Sequence, residues 1–480
     1  MDKRPDVSDV RDVKKGGNPM NVYGIEVNIK NIPKLDPGFI PMSAFTRAFE
    51  KSAAGGKEIV IAVERNQGQV AVRRCRIHGT PDKADADRVY VDRTVKMLLW
   101  AYGGWKVMIC GDEALGQTII DAYKPGGSRE FDAEFMGRVY ECDFVVESLP
   151  LSAAPEEKSM TAPVGRHLDG CRIGFDAGGS DRKVSAVVDG VPVYSEEVVW
   201  HPKTNDNPDY HYEGIVSAFK TAASKMPRVD AIGVSSAGIY VDNRTMVASL
   251  FNKVPRDLFD QKVKDIYIRA AKELGDIPLE VANDGDVTAL AGAMSLEENR
   301  ILGIAMGTSE AAGYVDADGN ITGWLNELAF APVDLQEDAM VDEWSGDKGC
   351  GVKYFSQDSV IKLAPRAGIT LEESLSPAEK LKVVQAAMNE GSESARDIYR
   401  SIGVYLGHEL AYYAAYYDIA HVLLLGRVMS GEGGDIVIAE ARRVLNEEYP
   451  DAAGMELHLP DEKIRRVGQS VAAASLPEIR

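Results

Sequence analysis

Three short groups of residues in this 480-residue chain have the types and spacing that phosphate chemistry uses. The first is Asp176, Ala177, Gly178, Gly179 and Ser180. A phosphate approaches a backbone closely only where Cβ atoms are missing, as at Gly178 and Gly179. Asp176 closes an apolar run and stands where a carboxylate can hold Mg²⁺ or its water. The second group, Gly307, Thr308 and Ser309, repeats the device, with the Thr308 hydroxyl and the turn amides as donors. The third, Asn283 and Asp284, follows the apolar run 279–282. A carboxylate there can take a proton from a substrate hydroxyl, and the same pair serves equally well as a helix N-cap. Each turn, taken singly, is also an ordinary connection between strands.

Two further loops belong with these. Gly426 to Gly431 lies between an apolar run and a helical pattern and has room to seat an adenosine. The stretch from Gly233 to Gly238, with Ser235 and Ser236 inside it, misses the G-x-S-x-G hydrolase elbow by one residue. It reads instead as a small-residue loop admitting a hydroxyl-rich ligand, with Ser236 as the contact. Neither GxxxxGK[ST] nor a GxGxxG after a strand occurs, so a P-loop or dinucleotide fold is not indicated.

The elements that must position these groups follow from the apolar pattern. Residues 171–175, 184–188 and 191–199 read as three hairpin strands, with Asp189 and Gly190 as the second turn. A helix at 211–226, a strand at 230–234, a strand at 279–282 and a helix at 284–294 follow. The same grammar restarts at 301–305, 311–315 and 321–324, then a long helix at 392–417, a strand at 422–425 and a helix at 435–448. A strand, glycine turn, strand opening that occurs twice is what a two-lobed fold with duplicated halves produces. Ahead of this, 58–64 and 69–77 read as paired strands, 94–102 and 114–123 as helices, and 105–110 and 138–146 as strands. Residues 151–170, rich in Pro and Ala, read as a linker.

Bulk composition bounds the function. The 54 basic and 74 acidic residues leave a net charge of −20, which makes the chain a poor partner for nucleic acid. No apolar run reaches membrane-spanning length, and the charged segment 1–19 lacks the apolar stretch of a secretory signal. Five cysteines without CxxC spacing suit free thiols, so a cytoplasmic location is expected.

Taken in this order and spacing, the pieces resemble the ROK (repressor, open reading frame, kinase) family of the actin/hexokinase-like superfamily. The resemblance covers about 170–480 and implies an α/β, two-lobed, ribonuclease H-like ATPase fold behind an N-terminal α+β domain. It divides the chain into 1–150, a linker at 151–170, a first lobe at 171–295 and a second at 296–480, whose last helix returns to the first. It implies ATP-dependent phosphorylation of a sugar hydroxyl with Mg²⁺ as cofactor and a homodimer as the default assembly. Asp284 would be the general base, with Asn283, Glu327, Asn252 and Ser236 on the sugar. Gly178, Gly179, Ser180, Gly307 and Thr308 would cradle the phosphates, Gly426 the adenosine, and Asp176 the magnesium through water.

The family pattern also carries GExGH and then CxCGxxGC, which hold a structural zinc through one His and three Cys. Here Phe330 replaces the His, and Glu343 and Ser345 replace two Cys, leaving Cys350. One soft ligand cannot hold a closed tetrahedral zinc, so no zinc is expected. Two other functions remain open: a non-catalytic or repurposed relative, and a sugar-responsive regulator in which 43–52 and the hairpin at 58–77 act as helix and wing.

Overall fold

The computed structural model describes residues 18–159, 164–460 and 468–479. The charged leader and residues 160–163 of the expected linker lie outside the described residues.

Strands Cys171–Ala177, Asp181–Val188 and Val191–Val199 form the antiparallel part of a five-stranded sheet. Asp189 and Gly190 take φ of 46° and 80°, the twist-matched hairpin turn that such residues favour. Strand Ala231–Ser236 lies parallel to Cys171–Ala177, and Leu279–Asn283 parallel to it in turn. Helices Pro208–Ala223 and Ile266–Lys272 bury Ile215, Phe219 and Tyr267 against one face. The short helix Gln469–Ala474 covers the other face. Its close seat depends on two bare backbones: a Cβ at Gly174 would lie 1.6 Å from the Ser470 carbonyl, and one at Gly233 1.7 Å from that of Ala473.

The second sheet runs Glu310–Val315, Ile301–Met306, His421–Leu425 and Glu456–His458, the first pair antiparallel and the others parallel. Helices Glu393–Tyr413 and Glu432–Glu448 pack together over it. The third strand expected at 321–324 does not form, and Ile321 makes a single bridge to Val315. Gly323 at φ 66° turns the chain there, and Trp324 stacks on Tyr314 at 5.5 Å.

The N-terminal residues form a third sheet, ordered Val70–Ile77, Lys57–Glu64, Lys106–Cys110 and Val145–Leu149. Residues 138–140, expected in a strand, belong to the helix Glu130–Tyr140, and the strand starts at Val145. The alternation from Val139 to Val146 spans a helix end and a strand start, so a period-2 reading runs across the junction. An additional hairpin, Asn18–Val22 with Ile25–Ile29, precedes them. This module shares one apolar core with the second lobe. Helix Met42–Ser52 is docked, with Ser43 bonded to Tyr449 at 2.9 Å and Arg47 to Asp451 at 2.8 Å. The expected linker is pinned in part: residues 70 and 158 form a bridge, and Gly165 donates to the Leu476 carbonyl at 3.0 Å.

Candidate active site

Three parallel strands of the first lobe end in register. Asp176 faces Ser235, while Ala177 and Asn283 flank Ser236. Their carboxyl ends therefore gather Asp176, Ser235 and Asn283–Asp284 along one crevice, where ligands of open α/β sheets bind. The cap reading of the Asn283–Asp284 pair falls to Asn283. Asn283 is the N-cap, its Oδ1 accepting from Gly285 N at 2.7 Å and its Nδ2 donating to the Gly238 carbonyl at 2.7 Å. Asp284 opens the helix Asp284–Leu296, its carboxylate beside the first-turn amides of Asp284 and Gly285.

Burial pushes the Asp284 carboxyl above its usual range, opposed by the Gly285 amide and the charge of Lys203. Asp176 rises to about 6, through burial and then the neighbouring charges of Asp284 and Asp181, against the Ser235 hydrogen bond and Lys183. Glu327 rises to about 7 through burial and the charges of Asp284 and Asp286. Asp176 and Glu327 thus each sense the charge of Asp284.

Lys203 carried no signal in the sequence, since it sits in a loop after the third strand. In the fold it lies over the glycine turn, with Cε 2.8 Å and Nζ 3.1 Å from where a Cβ on Gly179 would be. The same amine acts electrostatically on Asp284. One cation therefore spans the phosphate turn and the acid. Trp200 holds the turn from below by donating to the Gly178 carbonyl at 2.8 Å.

In the second lobe, Ile301–Met306 and His421–Leu425 are parallel and end together, so Gly307 and Gly426 are neighbours. A Cβ on Gly426 would meet the Met306 carbonyl at 2.2 Å. Thr308 and Ser309 are exposed, as are Gly179 and Ser180. Exposed hydroxyls beside bare backbone fit a phosphate chain, and Asp176 fits Mg²⁺ or its water.

Not every expected sugar contact gathers here. Ser236 is fully buried and accepts from the Tyr267 hydroxyl at 2.9 Å, which leaves its side chain no ligand-facing surface. Asn252 is exposed at the end of the Ser249–Phe251 turn, and the cavity beside Asn283 is bordered by neither Asn252 nor Asp284 nor Glu327. That cavity, about 420 Å³, is bordered by Asn283 and Asp286 from the lobes and by Arg65, Gln67 and Tyr140 from the N-terminal module. Arg65 is buried, bonded to the carbonyls of Tyr102 and Gly323 and to Gln69 Oε1.

Glu327 owes its position to the N-terminal module. Helix Ala84–Tyr102 ends with carbonyls that have no partner inside the helix. Asn326 N donates to the Ala101 carbonyl at 2.9 Å and Glu327 N to that of Trp100 at 3.0 Å. Asn326 stands where the family pattern has glycine and takes φ 51°, a left-handed conformation Asn tolerates. Its Nδ2 donates to Asp286 at 2.8 Å.

The residues at the family's zinc positions do not make that ligand set. Phe330 lies against Trp100 at 4.2 Å and Trp344 at 5.4 Å, with Phe131 and Phe135 around them. Glu343 pairs with Lys353, and Ser345 Oγ donates to Asp342 at 2.7 Å. Cys350 is buried, and burial pushes its thiol up to about 12, the wrong direction for a thiolate ligand. Between them, Asp347 meets Arg129 at 2.8 Å and Lys96 and Arg93 at 3.2 Å. These cations outweigh the cost of burial and hold its carboxyl far below the usual range.

Two sheets with strand-end glycine turns and an acid at the mouth of the first define an actin-like ATPase fold. The ROK family profile matches residues 172–453, more than half of the chain. The chain belongs to the ROK family. Among solved structures it is similar to a ROK hexokinase from Thermus thermophilus, at 18% identity over 64% of this chain and 96% of that one, TM-score 0.49. A ROK family glucokinase from Streptomyces griseus, in complex with glucose and AMPPNP, matches at 20% over 64% and 98%, TM-score 0.45. A ROK family transcriptional regulator, a homolog of the E. coli MLC protein, matches at 17% over 64% and 78%, TM-score 0.47. No curated protein sequence matches the chain. No helix among the described residues is long and apolar enough to cross a membrane.

Proposed function

We propose that this protein is a sugar kinase that transfers the γ-phosphoryl group of ATP to a sugar hydroxyl. The observation that carries the reading is the joint placement of Asp284, Asp176 and Lys203 around the Gly178–Gly179 turn. Phosphoryl transfer is catalysed mainly by positioning and charge stabilisation. Asp284 accepts the proton of the attacking hydroxyl. Lys203 offsets negative charge at the phosphate turn. Asp176 would hold Mg²⁺, and that ion would supply neutralisation of the phosphate chain. Gly307, Thr308 and Gly426 bind the nucleotide from the second lobe.

On the acceptor side, Glu327 and Asn283 orient the ring. The cavity beside Asn283 gives the N-terminal module a part in acceptor choice through Arg65, Gln67 and Tyr140. Phe330, committed to the aromatic cluster, offers no hydroxyl contact of the kind a His would, so acceptor preference differs from that of relatives with the full pattern.

The test is ADP release across hexoses and N-acetylhexosamines with wild type and Asp284→Ala. Sugar-dependent turnover that falls by roughly 10²–10⁴-fold in the variant supports the kinase. ATP binding without turnover on any sugar favours a repurposed relative.

A further inference from the structure

At the end of the second-lobe sheet opposite the glycine turns, two histidines and a glutamate converge. Strands His421–Leu425 and Glu456–His458 are parallel, with His421 beside Glu456 and Leu423 beside His458. Side chains two apart on a strand share a face, so His421, Glu456 and His458 project together from neighbouring strands. His421 Nδ1 lies 3.1 Å from His458 Nε2, and each nitrogen is 3.9 Å from Glu456 Oε2. A point equidistant from the three atoms lies about 2.1 Å from each, the length of a zinc–nitrogen or zinc–carboxylate bond.

A second feature points the same way. His421 turns its other nitrogen, Nε2, toward Glu298 Oε2 at 3.6 Å. At 3.6 Å the two atoms are beyond hydrogen-bond reach, but a small adjustment of the Glu298 side chain would give a ligating His421 the carboxylate partner that orients such a ring. The histidine side chains are largely covered, at 13% and 22% exposure, while Glu456 is 68% exposed and free to adjust.

We propose that His421, His458 and Glu456 form a binding site for one late first-row divalent cation of the zinc class. Two imidazoles and one carboxylate match that class rather than calcium or magnesium, which prefer all-oxygen sets. The ion ties the three-residue edge strand Glu456–His458 to the sheet, and three protein ligands leave a position for water. The site is separate from the crevice of Asp284 and from the Phe330–Cys350 segment, and it does not depend on the kinase reading.

Co²⁺ titration of the full chain tests it. One equivalent is expected to give visible d–d absorption that Zn²⁺ displaces. Glu456→Ala, an exposed position, is expected to weaken binding at least tenfold, and His421→Ala with His458→Ala to abolish it. Cys350→Ser is expected to change nothing. Circular dichroism of each metal-free variant checks the fold. Absence of stoichiometric binding, binding unchanged in folded Glu456 and His458 variants, or binding lost only with Cys350→Ser overturns the proposal.

Discussion

At the scale of single residues, the proposed kinase chemistry rests on acid strength and one lysine. A carboxyl must be ionised to act as a base. With the Asp284 carboxyl raised by burial, kcat/KM is expected to begin falling at a higher pH than an ordinary carboxylate base would give. A pH profile of the kinase assay checks this. Lys203→Ala is expected to lower kcat/KM for ATP by roughly 10²-fold, the scale of losing one aligned charge donor. It should leave the folded state intact because the side chain is exposed. The turn glycines and Asp284 could be picked out from spacing alone. Lys203 could not, because its role comes from the loop folding back over Gly179, and nothing local to 201–204 encodes that return.

At the scale of elements, the helix Ala84–Tyr102 has two duties. Its terminal carbonyls hold Asn326 and Glu327, and its Trp100 packs on Phe330. Trp100→Ala is expected to destabilise the protein by about 3–5 kcal/mol, the usual cost of emptying a large aromatic site. It should also raise KM for the sugar, since Phe330, three residues beyond Glu327, loses the ring it packs on while the backbone bonds to Glu327 remain; denaturant unfolding and sugar titration read the two effects separately. The terminal helix Gln469–Ala474 depends on Gly174 and Gly233, and Gln469 Nε2 donates to Ser235 Oγ at 2.9 Å and to the Asp284 carbonyl at 3.0 Å. Gly233→Ala would place a methyl into the Ala473 carbonyl, so the helix is expected to detach, detectable as faster hydrogen exchange over 469–474.

At the scale of the whole molecule, the N-terminal module and the second lobe are one packing unit. A chain beginning at residue 164 would expose Phe330 and its surroundings, and is expected to be insoluble or unfolded in a solubility and circular dichroism comparison with the full chain. Stability should also follow the buried acids. Asp176, Asp286 and Glu327 bind protons more tightly in the folded state, with values near 6, 7 and 7. Their contribution is full below the unfolded value near 4 and is lost as pH rises through 6 to 7. Asp347 runs the other way, but its contribution is complete above pH 4. The ligand-free protein is therefore expected to melt several degrees higher at pH 5.5 than at pH 8, measured by calorimetry (~4–8 °C for each kcal/mol in a small domain, less in a chain this long).

The sequence by itself determined the fold family and the strand-end glycine turns, because strand periodicity, glycine turns and strand-end acids are local patterns. It also exposed the altered positions Asn326, Phe330 and Glu343. Only the tertiary structure decided what those changes mean. Phe330 packs on Trp100, more than 200 positions away, and Asp347 pairs with three cations from the same module. Ser236 reads as exposed in a small-residue loop, yet Tyr267 packs over it. Such outcomes depend on which elements meet, and pairings between distant segments are set by the packing of whole faces rather than by any spacing along the chain.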